Sequence, residues 1–135
     1  MIHTDIDIKD EVYAWVNASA LAGMVSGNVY KDQRPMNSDK EDITIAVIAR
    51  NAGYQIQEAT VNVNVYVPDI RRGQEAIENT ARLRELCSEA ASLFEYRHTG
   101  DTIVSLSRQE VSKVNGIDWH IINNRLSIRY NNEDI

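Results

Sequence analysis

Between Glu58 and Val67 apolar and polar residues alternate almost without a break, and this run constrains the fold more than any other stretch. Ala59, Val61, Val63, Val65 and Val67 fall on one side; Thr60, Asn62, Asn64 and Tyr66 fall on the other. Successive side chains of a strand point to opposite faces, so the run requires a sheet with one buried face and one wet face. Pro68, with no N–H to offer a ladder, ends it. Ile43–Arg50 reads as a second strand, with Ile43, Ile45, Val47 and Ala49 on one side. Ala46 and Ile48 make its other side apolar too, which predicts cover on both faces. Asn51-Ala52-Gly53-Tyr54 supplies the turn between the two.

Two segments carry helical spacing. Ile8, Val12, Trp15 and Val16 predict a helix from about Ile8 to about Ala20, with Asp7 or Asp10 favouring its start. Ile77, Thr80, Leu83, Cys87, Ala90 and Phe94, widened by Leu86 and Leu93, predict a longer helix from about Gly73 to about Tyr96. Its polar face holds Glu78, Arg82, Glu85 and Glu89, and His98-Thr99-Gly100-Asp101 breaks it. Val29-Tyr30 is a short extended piece, followed by a polar loop that reaches Asp42. Beyond Ile103 the chain is strand-like, with turns expected at Asn115-Gly116 and Asn123-Asn124 and a closing strand through Leu126, Ile128 and Tyr130. The order helix, strands, helix, strands gives an α+β domain: an antiparallel or mixed sheet with two main helices packed on one face, spanning residues 1–135 as a single domain.

Composition excludes several classes. With 135 residues the chain suffices for one core, and no run is apolar for the roughly 18 residues of a membrane span. Its acidic start has no signal-peptide pattern, and one cysteine can form neither an internal disulfide nor a cysteine-based zinc site; both point to a reducing cytoplasm. The net charge of −6 repels phosphate backbones, and Arg71-Arg72 and Arg82/Arg84 are interleaved with acids, so no nucleic-acid partner is expected.

Nothing in the sequence announces catalysis. His3, His98 and His120 are far apart and outside metal-binding spacings; Cys87 falls on an apolar stripe where its thiolate is disfavoured. The carboxylate clusters Asp39/Glu41/Asp42 and Asp5/Asp7/Asp10 fit no calcium loop and read as solvated charge runs. No phosphate-binding, dinucleotide or nucleophile-elbow motif is present. The expectation is a protein that is not an enzyme and holds no metal or cofactor. Two surfaces read as protein interface instead: the loop residues Tyr30, Arg34, Pro35 and Met36, of types suited to contacts, and the uncharged strand face of Asn62, Asn64 and Tyr66.

A helix, then Leu21-Ala22-Gly23-Met24-Val25-Ser26-Gly27-Asn28-Val29-Tyr30, a loop bearing Arg34-Pro35, the strand Ile43-Thr44-Ile45-Ala46-Val47, a long helix and closing strands resemble the tail-terminator and tail-completion proteins of long-tailed bacteriophages. The resemblance covers most of the chain as architecture. It implies a structural role: a homo-oligomeric ring, commonly of six subunits, capping the tail tube and joining it to the connector, with other tail or connector proteins as partners. It implies no chemistry and no cofactor, and residence in the virion after assembly in the bacterial cytoplasm. The C-terminal turns suggest more strand than the simplest members have, so a neighbouring neck or minor tail protein is a second form of the same reading.

Two other classes compete. One is a cytosolic module binding a small molecule or peptide in a pocket lined by Trp15, Trp119 and Tyr130. The other is an enzyme with a site built from His120 and a carboxylate such as Asp118.

Overall fold

The computed structural model describes residues 3–51 and 56–131. Three helices, α1 (Asp5–Asn17), α2 (Ala20–Met24) and α3 (Thr80–Phe94), pack on a six-stranded sheet. Its strands are β1 (Val29–Lys31), β2 (Ile43–Asn51), β3 (Ile56–Pro68), β6 (Tyr96–Thr99), β7 (Thr102–Lys113) and β8 (Trp119–Asn131), in the order β1-β2-β3-β8-β7-β6. The β1–β2 pair is parallel and every other pair antiparallel, so the sheet is mixed and the class is α+β. A separate hairpin, β4 (Ile70–Arg72) with β5 (Glu75–Ile77), turns at Gly73, whose φ of 64° suits a residue without Cβ.

The alternating run forms β3, the centre of the sheet. Ala59, Val61, Val63, Val65 and Val67 are each no more than 4% exposed, while Asn62, Asn64 and Tyr66 are half-exposed on the other face. The valines meet Ile8, Val12 and Val16 of α1 and Leu83, Leu86, Ala90 and Phe94 of α3 in one core. Fully burying a branched aliphatic side chain stabilises a fold by about 1.5–3 kcal/mol, so this layer is the main source of stability.

Several boundaries differ from the sequence reading. α1 starts earlier, because Thr4 is its N-cap: the Thr4 hydroxyl accepts from the Asp7 N–H while the Asp7 carboxylate accepts from the Thr4 N–H at 2.9 Å. Those hydrogen bonds hold the Asp7 carboxyl below its usual pKa. The long helix does not begin at Gly73. Residues 70–77 form the hairpin, and α3 starts only after Asn79, whose side chain accepts from the Arg82 N–H. It ends at Phe94, and Tyr96 belongs to an edge strand. Arg82 is not part of the outward polar face either: it reaches inward to Glu41, at 2.7 and 2.8 Å, and to the Met24 carbonyl at 2.6 Å.

In β2 the far face is covered only at its start, where Thr44 is buried. A bulge between Val47 and Ala49 leaves Ile48 half-exposed. The Asn51–Tyr54 turn lies outside the described residues, save Asn51 at the end of β2. The expected turn at Asn115-Gly116 is present, with Gly116 at φ 82°. No turn forms at Asn123-Asn124, because β8 runs through both. Asn124 is fully buried, donating to the Val63 carbonyl at 3.1 Å and accepting from Gln109 at 2.8 Å. Asn123 donates to Asn64 at 2.7 Å. Satisfied in this way, an asparagine pair is stable inside a ladder.

Candidate interaction face

The loop from Tyr30 to Asp42 and the polar face of β3, two separate candidates in the sequence, form one surface. The loop folds down over the sheet, and the Arg34 guanidinium lies between two rings, 4.3 Å from the centre of Tyr66 and 4.2 Å from that of Trp119. A guanidinium is flat and weakly hydrated, so it stacks on both faces at once. Arg34 also donates to the Lys40 carbonyl at 3.4 Å and stands 3.9 Å from the Asp42 carboxylate.

Asp42 holds the loop from beneath. It is 1% exposed, accepts from the Asn28 N–H at 3.1 Å and from the Ser38 hydroxyl, and its carbonyl accepts from the Tyr66 N–H at 2.9 Å. Its neighbour Glu41 accepts from Arg82 and from the Ser26 N–H at 3.2 Å. Charge assistance from Glu41 raises the already high pKa of Arg82. Of the acidic run 39–42 only Asp39 is solvated, so Glu41 and Asp42 correct the sequence reading. The loop is long because it carries its own buried acids to their partners.

Gly27 belongs to the same construction. Its N–H donates to the Glu41 carbonyl at 2.8 Å, and a methyl in place of its hydrogen would lie 2.5 Å from that carbonyl and overlap the Asp42 carboxylate. This close approach explains the glycine in Gly27-Asn28-Val29-Tyr30.

The named candidates separate as follows. Arg34 and Tyr66 touch. Pro35 opens a turn closed by the Ser38 N–H on the Pro35 carbonyl at 3.1 Å, and it carries Met36 at its tip, 97% exposed. Asn64 pairs with Asn123 further along the same face, and Asn62 lies opposite Arg125. Among the described residues, Asn62 Oδ1 and Arg125 Nε are buried and have no hydrogen-bond partner. Tyr30 is half-exposed in β1, in register with Thr44, and does not join the cluster. Sequence reasoning placed Trp119 in a pocket and Asp42 in a solvated acidic run, and so missed both on this face. The signal for Trp119 was its odd position in the alternation of β8, which sets it on the face opposite Ile122 and Leu126.

On the helix side a cavity of about 440 Å³ opens between α1 and the strands β6, β7 and β8. Trp15, Val104, Ile128 and Tyr130 form its apolar wall, with Glu11 and Arg97 among its polar lining. The Arg97 guanidinium lies 4.7 Å from the centre of a Trp15 ring, and Trp15 meets Phe94 edge-on at 5.3 Å. The Tyr130 hydroxyl donates to Glu11 at 2.9 Å, and the His3 ring stacks on Tyr130 at 3.8 Å. Burial and the Glu11 carboxylate push the Tyr130 phenol far above its ordinary pKa. Trp15 and Tyr130 therefore share a pocket as the sequence suggested, whereas Trp119 stands on the opposite face with Arg34.

His120 does not pair with Asp118. Its Nδ1 lies 2.6 Å from Asp69, whose side chain is 1% exposed, with Lys113 at 3.6 Å; Asp118 meets Arg71 at 3.3 Å. His98 is exposed in β6. Cys87 is half-buried, and burial pushes its thiol up. Among the described residues no group of three or more His, Cys, Asp or Glu could hold a metal ion, and no helix is long and apolar enough to cross a membrane. No protein-family model matches the sequence, and no curated protein matches it.

Proposed function

We propose that this chain is a phage or prophage structural protein of the tail-terminator type, assembling into a ring at the tail end or head–tail joint. The observation that carries the reading is the pair of half-open sheet edges. β1 pairs with only Ile43–Ile45 of β2, and β6 with only Thr102–Ser105 of β7. Along 46–51 on one edge and 106–113 on the other, outward-facing backbone groups have no strand beside them among the described residues. Open edges are templates for pairing. Here they lie on opposite sides of one sheet, so pairing one edge with the other is head-to-tail, and head-to-tail contacts give a ring when the rotation between copies closes. Both runs carry a bulge, between Val47 and Ala49 and between Leu106 and Arg108. Bulges and charges such as Arg50, Arg108, Glu110 and Lys113 restrict such edges to a matched partner.

The test is the DNA flanking the gene. Neighbours encoding portal, capsid, tail-tube and tape-measure proteins support the tail role, and their order assigns terminator, completion or neck. Neighbours of ordinary metabolism overturn it. The reading favoured then is a small-molecule or peptide-binding module, for which the Trp15–Tyr130 cavity is the supporting observation.

A further inference from the structure

We propose that the cavity between α1 and β6–β8 is the socket for Met36 of a second copy of this chain. The inference rests on the self-association in that reading and names a contact between copies separate from the strand edges.

Three observations converge. Met36 is a large apolar side chain held almost wholly in water, yet the turn beneath it is fixed by Arg34 between its two rings and by Asp42. The backbone of a pre-ordered turn loses little entropy on docking, so the cost is confined to the rotamers of the methionine. The cavity, about 440 Å³, has room for that side chain and an apolar wall that includes the Trp15 ring. Methionine is unbranched and polarizable, and it makes favourable sulfur contacts with aromatic rings.

The charges match as well. At the cavity Arg97 lies over Trp15 and donates to the Thr99 hydroxyl at 3.2 Å, but among the described residues no carboxylate pairs with it. Asp39, just past the turn, is exposed and pairs with no cation among the described residues. Seating Met36 brings Asp39 toward Arg97. A buried apolar anchor supplies binding energy, and complementary charges beside it fix the register.

Placement rules out a contact within one chain. Tyr66 and Trp119, which hold the turn, stand where β3 ends and β8 begins, on the face away from the helices. Ile128 and Tyr130, which line the cavity, stand at the other end of β8 on the helix face. Knob and socket therefore lie on opposite faces and opposite ends, and their contact is head-to-tail between copies.

Disulfide trapping tests this in a Cys87→Ala background. Met36→Cys chains are mixed with Ala14→Cys chains, Ala14 being an exposed residue at the cavity. Cross-linked pairs are expected from the mixture and from neither variant alone, and the double variant should give a covalently closed ring. Met36→Asp, at an exposed position where folding is undisturbed, should weaken association by about tenfold or more. Asp39→Arg should weaken it too, with recovery when combined with Arg97→Asp. Met36→Cys chains linking to one another, a ring that survives Met36→Asp, or a chain that remains monomeric and unlinked each overturn the proposal. So does an intact ring whose Trp15 emission is still quenched by anilinonaphthalene sulfonate, because the socket would then be empty in the assembly. Tail genes in the flanking DNA beside any of these results leave the tail role standing and remove only this contact.

Discussion

Individual side chains in this protein matter most where a polar group is sealed in the sheet. Asn124 is the clearest case: fully buried, it joins the Val63 carbonyl to Gln109, which itself donates to the Cys87 carbonyl at 3.1 Å. Asn124→Ala should leave Gln109 and the Val63 carbonyl each short of a partner and cost about 1–3 kcal/mol, read from the urea midpoint. A change below a few tenths would mean that water replaces the amide. Tyr130 gives a pH signature. Its folded pKa lies above the unfolded value of about 10, so the folded state keeps the proton longer. The stability this gives is complete below about pH 10 and falls as the pH rises further. Tyr130→Phe should flatten that alkaline decline, and the native phenol should remain silent in an absorbance titration where exposed tyrosines ionise. The strand and the pocket of Tyr130 were legible, but neither its bond to Glu11 nor the buried place of Asn124 was. An asparagine pair in a strand has the composition of a turn, and a phenol's partner across the sequence leaves no local mark.

At the scale of elements, the loop between β1 and β2 acts as a fixed structural piece. It is tied to the sheet by Arg34, to the start of β2 by Asp42 and to α3 through Glu41 and Arg82. Arg34→Lys keeps the charge but cannot stack as a plane on both rings, so about 1–2 kcal/mol should be lost. In a Trp15→Phe background the Trp119 emission should shift to the red; an unchanged spectrum would place the clamp elsewhere. Gly27→Ala should be more damaging, about 2 kcal/mol or more, because the methyl meets backbone and a buried carboxylate that cannot retreat. Thermal melting of the purified variant measures it. The sequence marked the glycine, the proline and the contact-prone residues of this region, but not their arrangement. Loop acids look alike whether they face water or a guanidinium, and Arg82 sits within a helical pattern that assigns it to the solvent side. The misplaced start of α3 has a similar origin: Ile77 falls in phase with the helical stripe although Asn79 caps the helix after it.

Across the whole molecule, the class was readable because burial imposes a period of two on β3 and spacings of three and four on the helices. Strand order was not readable, since β3 pairs with β8 rather than with a sequence neighbour on that side. This pairing should also govern local stability. Hydrogen exchange is expected to show the slowest amides in β3 and β8, and fast exchange in the β4–β5 hairpin, which belongs to no larger sheet. Equal protection in the hairpin and the central strands would contradict that ranking. The β3–β8 partnership has one more consequence, for a chain still on the ribosome. Until the residues from Trp119 onward emerge, β3 has a valine face without its full lining and one side without a neighbour. A nascent chain paused before that point is a natural client for chaperones, and messages that slow translation there would raise the yield of misfolded protein.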